Sequence, residues 1–160
     1  MNIDPSALYS DGFGKAWGLT TDWTSVSAYS AGGSLGKGFV NLFQPTVHTT
    51  PDGVMIVSSA TDVDWFDSDG TGGYVPKFFG QDTLVVAGSG GTSEYVLTDA
   101  QGNVARFYGP GASASLTGKF KSFTDPFGNQ VTTTYNGAGQ LTDEERTDGA
   151  VTETYEFTYL

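Results

Sequence analysis

The chain has 160 residues, with 7 basic against 18 acidic side chains and a formal net charge of −11 at pH 7. A surface this acidic repels phosphate backbones and anionic lipid, both of which need clustered Lys or Arg, so nucleic acid and membrane surfaces are poor partners for it. Cysteine is absent, which removes disulfides, thiolate metal sites and a Cys nucleophile together. Leu, Ile, Val and Phe make only 35 residues, about 22%, close to compositions that stay disordered. The 3 Trp, 8 Tyr and 11 Phe offset this, since each ring buries roughly 150–250 Å².

At the N-terminus, Met1-Asn2-Ile3-Asp4-Pro5 has no basic start leading into an apolar stretch, so no signal peptide is read there. No apolar run approaches the roughly 20 residues of a spanning helix. Trp17 and Trp23, with Tyr29 nearby, are candidates for an exposed platform that stacks on sugar rings, although a chain poor in Leu and Ile also needs such rings in its core. Gly32-Gly33-Ser34-Leu35-Gly36 matches Gly-x-Ser-x-Gly, and Ser34-Leu35-Gly36-Lys37 matches Ser-x-x-Lys. A nucleophile elbow requires a strand before the Ser and a helix after it. Gly36 and Gly38 leave no helix, so Ser34 reads as a loop residue. His48 is the only histidine and lies in Pro45-Thr46-Val47-His48-Thr49-Thr50, a strand or strand end. No acid or nucleophile sits near it in sequence to make it a general base, and it reads as a surface or cross-strand residue.

Val54-Met55-Ile56-Val57 is the first strong strand, entered by the turn Pro51-Asp52-Gly53. Next comes the acidic tract Asp62-Val63-Asp64-Trp65-Phe66-Asp67-Ser68-Asp69-Gly70, the best metal candidate in the chain because Ca²⁺ favours alternating carboxylates on a Gly-containing turn. It lacks the bidentate Glu of an EF-hand loop. An aromatic strand followed by an Asp-Gly turn accounts for it equally, with Trp65 and Phe66 on opposite faces. Further strands are predicted at Thr83-Leu84-Val85-Val86-Ala87, Glu94-Tyr95-Val96-Leu97-Thr98, Val104-Ala105-Arg106-Phe107-Tyr108, Gln130-Val131-Thr132-Thr133-Thr134-Tyr135 and Val151 to Tyr159. Between them stand Gly-, Asn- and Asp-bearing turns that tolerate positive φ. No window of a dozen residues keeps a helical apolar period. The expected fold is all-β, an antiparallel meander.

Two segments align with each other. Thr98-Asp99-x-x-Gly102-Asn103-Val104-x-x-x-Tyr108 matches Thr124-Asp125-x-x-Gly128-Asn129-x-Val131-x-x-x-Tyr135 with a one-residue slip, and Tyr135-Asn136-Gly137-Ala138-Gly139-Gln140-Leu141-Thr142 follows as a third unit. The expected grammar is an inward aromatic ending one strand, a Gly-bearing turn, and an apolar residue starting the next. Tyr135-Asn136-x-x-Gly139-Gln140-Leu141-Thr142 resembles the Tyr-Asp-x-x-Gly-Arg-Leu-Thr core of the YD repeat of bacterial Rhs proteins and animal teneurins, with Asn136 and Gln140 in place of the usual Asp and Arg. Asp11-Gly12-Phe13-Gly14-Lys15-Ala16-Trp17-Gly18-Leu19 is similar to the Gly-x-Gly-Trp-x-Leu segment near the start of many Rhs shells, with Ala16 altering the spacing. Tyr74 through Tyr108 resembles their early non-repetitive strands.

The resemblance implies a spiralling β-sheet that closes into a hollow shell around a toxin or cargo, or supports an adhesion module. It implies a division into an early non-repetitive region, residues 1–97, and YD-type repeat strands, residues 98–160, in one continuous β unit. The implied function is a non-enzymatic structural module on or outside a bacterial cell. Its partners would be the rest of a longer shell or its cargo, with no catalytic, cofactor-binding or metal-binding residues. The alternative is an extracellular carbohydrate-binding domain using exposed aromatics. The final run, residues 151–160, alternates apolar and polar residues with no returning strand in the sequence. It is expected either to self-associate through its edge or to be covered by the N-terminal segment.

Overall fold

The computed structural model describes residues 39–159 together with three short preceding strands, β1 (Tyr9–Ser10), β2 (Trp17–Gly18) and β3 (Thr21–Trp23). β1 pairs with β2, and β3 pairs with β4 (Phe39–Asn41). Everything after that is one antiparallel meander: β5 (Thr46–Thr49), β6 (Gly53–Val57), β7 (Val63–Ser68), β8 (Gly73–Pro76), β9 (Thr83–Ala87), β10 (Glu94–Thr98), β11 (Val104–Tyr108), β12 (Phe120–Thr124), β13 (Gln130–Tyr135), β14 (Leu141–Thr147) and β15 (Thr152–Glu156). Each strand bonds to its neighbours in sequence, giving an open 11-stranded sheet. The sheet runs through residues 97 and 98 within β10 without a break.

Period-two alternation sends one row of side chains inward from every strand. Val47, Val54, Ile56, Phe66, Leu84, Tyr95, Phe107 and Phe120 form a buried cluster, with Tyr74, Val86, Leu97, Ala105, Phe123 and Val131 packed around it. These residues occupy the same face across the whole sheet, and the rings supply what the scarce Leu and Ile cannot. Phe107 meets Phe120 edge-on at 6.1 Å between centroids. A smaller cluster, Val40, Met55 and Val57 with Val63 and Trp65, lies on the opposite face of β6 and β7, where the β3–β4 hairpin covers it. Phe66 and Trp65 therefore do point to opposite faces.

The sheet curls until its first strand reaches its later half. The Val47 amide donates to the Gly118 carbonyl, 2.8 Å away, between β11 and β12. Residues 42–45 run across the inner face, and Gln44 Nε2 donates to the buried Glu144 Oε2 at 2.7 Å, joining positions 100 apart in sequence. The free edge of β5 is thereby partly satisfied. At the other end of the sheet, no described strand pairs with the outer edge of β15.

The repeat alignment needs one correction in register. Ala105 packs into the inner cluster and Val104, next to it, faces out, whereas Val131 packs inward. Ala105, not Val104, is the structural counterpart of Val131, and Phe107 rather than Tyr108 is the inward aromatic of β11. Both strands, β11 and β13, also meet a bulge in the next strand, at Lys121 opposite Arg106 and Phe107 and at Thr142 opposite Thr134 and Tyr135. Tyr108 and Tyr135 still meet, edge-on at 5.9 Å.

Candidate functional site

The repeated residues form repeated turns. At Asp99, Oδ1 accepts the amides of Gln101 and Asn103, both at 2.9 Å, and Oδ2 accepts Asn103 Nδ2 at 2.6 Å. At Asp125, Oδ1 accepts the amides of Phe127 and Asn129, both at 2.9 Å, and Oδ2 accepts Asn129 Nδ2 at 2.6 Å. Asn136 copies the geometry with its amide group: Oδ1 accepts from Ala138 and Gln140 at 3.0 Å, while Nδ2 donates to Gln140 Oε1 at 2.9 Å. The fourth residue of each turn is a glycine with positive φ, 85° at Gly102, 88° at Gly128 and 78° at Gly139, a conformation that costs Gly nothing sterically.

Sequence comparison missed a fourth copy. Asp69 Oδ1 accepts the amides of Thr71 at 2.7 Å and Gly73 at 3.0 Å, and Gly72 has a φ of 99°. Gly73 stands where the other turns place Asn or Gln, so the side-chain bond that marks the motif is lost. The Asp-x-x-Gly spacing of Asp69 and Gly72 was the available signal.

This geometry gives the acidic tract its role. Thr71, bonding first through its amide and then its hydroxyl, holds the Asp69 carboxyl below its usual pKa, with Gly73 and Gly72 adding to it. Asp67 pairs with Lys77 at 3.0 Å. Burial, then the charges of Asp62 and Asp82, raises Asp64. Among the described residues, no group of three or more His, Asp or Glu is placed to hold a metal ion. With Asp69 engaged by its own turn and Asp67 by Lys77, millimolar Ca²⁺ is expected to raise the melting temperature by under about 2 °C. A rise of several degrees that Asp67→Asn with Asp69→Asn removes would contradict this.

His48 lies opposite Met55 on β6, half-buried, with Nε2 2.9 Å from Thr46 Oγ1. Burial lowers its pKa from 6.5. A folded value below the unfolded one means that the unfolded chain takes the proton first. The stability tied to a neutral His48 is complete above about pH 6.5 and is lost as pH falls through the folded value. The melting temperature should fall as pH drops below about 6.5, and His48→Gln should flatten that limb. Wild-type and His48→Gln curves that run parallel below about pH 6.5 would contradict the assignment.

Ser34 and Tyr29 lie outside the described residues, and Trp17 is described only as backbone within β2. Trp23 faces its cross-strand partner Phe39, and the two are 62% and 44% exposed. A cavity of about 360 Å³ opens on the inner face beneath residues 42–45, against β11 to β14. Among the described residues, no helix is long and apolar enough to cross a membrane. No protein-family model and no curated protein matches the chain.

Proposed function

We propose that this chain is a non-enzymatic structural module, a stretch of wall in a secreted or surface shell of the YD-repeat type, whose work is to enclose cargo. The observation that carries this reading is the recurrence of one hydrogen-bonded turn, Asx-x-x-Gly-Asn/Gln, at residues 99–103, 125–129 and 136–140. Each copy joins consecutive strands of the same sheet. A repeat that turns the chain identically each time adds strands indefinitely and buries its aromatics only against its neighbours, which is the logic of a wall. The outward edge of β15 is where such a wall grows.

Electron cryomicroscopy of the protein isolated from its own cells tests the reading. The expected density has a further strand bonded to the outer edge of β15 and the inner face closed over enclosed polypeptide. A particle in which that edge is bare and the inner face encloses nothing would contradict it. The exposed pair Trp23 and Phe39 favours one second reading, a carbohydrate-binding surface that stacks on sugar rings. Glycan-array binding that Trp23→Ala abolishes would replace the first reading with the second.

A further inference from the structure

Antiparallel strands reverse the chain at alternate ends, so the loops of the meander fall on two rims. One rim carries residues 50–52, 69–72, 88–93, 109–119 and 136–140; the other carries 58–62, 77–82, 99–103, 125–129 and 148–151. The large apolar side chains exposed in these loops all stand on the second rim. Phe78 and Phe79, between β8 and β9, are 67% and 111% exposed, Phe127, between β12 and β13, is 91% exposed, and Val151, before β15, is 53% exposed. Among the described residues, the loops of the first rim have none. A chain that builds its core from rings for want of Leu and Ile thus leaves three Phe at loop tips. Turn chemistry does not ask for a ring at Phe127. Only its amide is used, by Asp125 Oδ1, and the corresponding amides of the sister turns belong to Gln101 and Ala138. Single exposed apolar residues need no explanation. Rings gathered on one rim and missing from the other do.

We propose that this rim docks a basic amphipathic segment of another protein, whose apolar face covers Phe78, Phe79 and Phe127 and whose cations meet the Asp residues between them. The same loops hold Asp62, Asp82, Asp99, Asp125 and Asp148 against one cation, Lys77, which Asp67 already engages at 3.0 Å. Charge complementarity therefore selects the partner. A second copy would set this row of carboxylates against its own likeness, and an anionic leaflet would repel it. The size fits as well: at about 150–250 Å² each, three rings supply most of the roughly 800 Å² that each partner gives to an interface of standard size. The β8–β9 and β12–β13 loops lie four strand spacings apart, about 19 Å along the sheet, a length that a helix of about 13 residues spans. The proposal does not rest on the wall reading, because both rims exist whether or not further strands add to β15.

The probe is a Leu/Lys peptide of about 14 residues with a helical apolar period, compared with its Leu/Glu counterpart and with a Ser/Lys peptide of the same charge. Each is titrated into the full chain and followed by NMR at Phe79 and Phe127. The Leu/Lys peptide is expected to give saturable shifts at both rings, the Leu/Glu peptide none, and the Ser/Lys peptide to bind at least about tenfold more weakly. Phe79→Gln and Phe127→Gln should each weaken the Leu/Lys peptide about tenfold, the scale of one anchoring ring. Both variants keep the fold, because neither ring is buried and Gln101 holds the place of Phe127 in the sister turn. The proposal is overturned if the Leu/Lys peptide leaves both rings unmoved, if either comparator binds as tightly, or if the two substitutions together change nothing. Any other occupant overturns it too. Phosphatidylcholine vesicles that sediment the wild type but not the double variant would make the rim a membrane anchor. Shifts at Phe79 and Phe127 that grow with protein concentration alone would make the occupant a second copy. Nuclear Overhauser effects from residues 1–38 to either ring in the free chain would make it the chain itself.

Discussion

Replacing Phe107 with alanine is expected to remove a large share of the protein's stability. The ring is 0% exposed and sits in the inner cluster with Tyr95 and Phe120. A Phe→Ala change at such a site costs about 3–5 kcal/mol, the transfer term plus the cavity left behind, out of a total stability of about 5–15 kcal/mol. Phe107→Leu keeps most of the volume and should cost about 1.5 kcal/mol or less. Urea unfolding followed by tyrosine and tryptophan fluorescence gives both midpoints. Equal midpoints for the two variants would show that the inner cluster does not hold the sheet together.

The second large effect is expected at Gly118, where the curl is fastened. Its φ is 79°, and a methyl group there would run into the carbonyl oxygen of Val47. The same glycine's carbonyl accepts the Val47 amide. Gly118→Ala therefore adds left-handed backbone strain of about 1–2 kcal/mol to an overpacking cost of about 1–3 kcal/mol, and it loosens β5 from the far side of the sheet. Gly128 is the control. Its φ is 88°, yet nothing lies within 4 Å of an added methyl, so Gly128→Ala should show the strain alone. If both variants lose the same stability, the contact between β5 and the β11–β12 connection contributes nothing.

The strands legible in the sequence were those with β-branched or aromatic alternation. β9, β10, β11 and β13 begin and end where Thr83-Leu84-Val85-Val86-Ala87, Glu94-Tyr95-Val96-Leu97-Thr98, Val104-Ala105-Arg106-Phe107-Tyr108 and Gln130 through Tyr135 place them. β14 was hidden beyond its first two residues because it reads Leu141-Thr142-Asp143-Glu144-Glu145-Arg146-Thr147, a run that looks like a solvated loop. It is a strand because Glu144 and Arg146 are buried with partners that local sequence does not reveal: Gln44 lies 100 residues away, and Glu153 lies on the next strand. β12 was missed for a different reason. Its two inward rings, Phe120 and Phe123, stand three apart because Lys121 is an extra residue in the pairing with β11, and Lys121 belongs to the outer face, where it reaches Glu94 two strands away at 2.5 Å and lies over the Tyr108 ring. The turns at Asp99, Asp125 and Asn136 were legible as motifs. Their neighbour, the inner-face cavity, was not, because it exists only once the sheet curls and residues 42–45 cross it.

The outer edge of β15 puts the central claim to its most direct test. The Phe157 amide donates to the Thr142 carbonyl, so alternation turns Tyr155 and Glu153 toward β14 and leaves the amides of Thr152, Thr154 and Glu156 facing outward. Two copies paired antiparallel about Thr154 would set Thr152 opposite Glu156, and no Glu would face another directly. A net charge of −11 per chain opposes this encounter, so the measurement belongs at an ionic strength of about 1 M, where the screening length is about 3 Å. Light scattering on the full chain and on Thr154→Pro decides it, because proline is tolerated on an edge whose N–H faces solvent and removes the donor that pairing needs. The account predicts a mass that rises with concentration for the full chain and stays at that of one chain for Thr154→Pro. A full chain that remains monomeric at high concentration, with the amides of Thr152 and Thr154 exchanging freely, would contradict a wall built by adding strands to that edge.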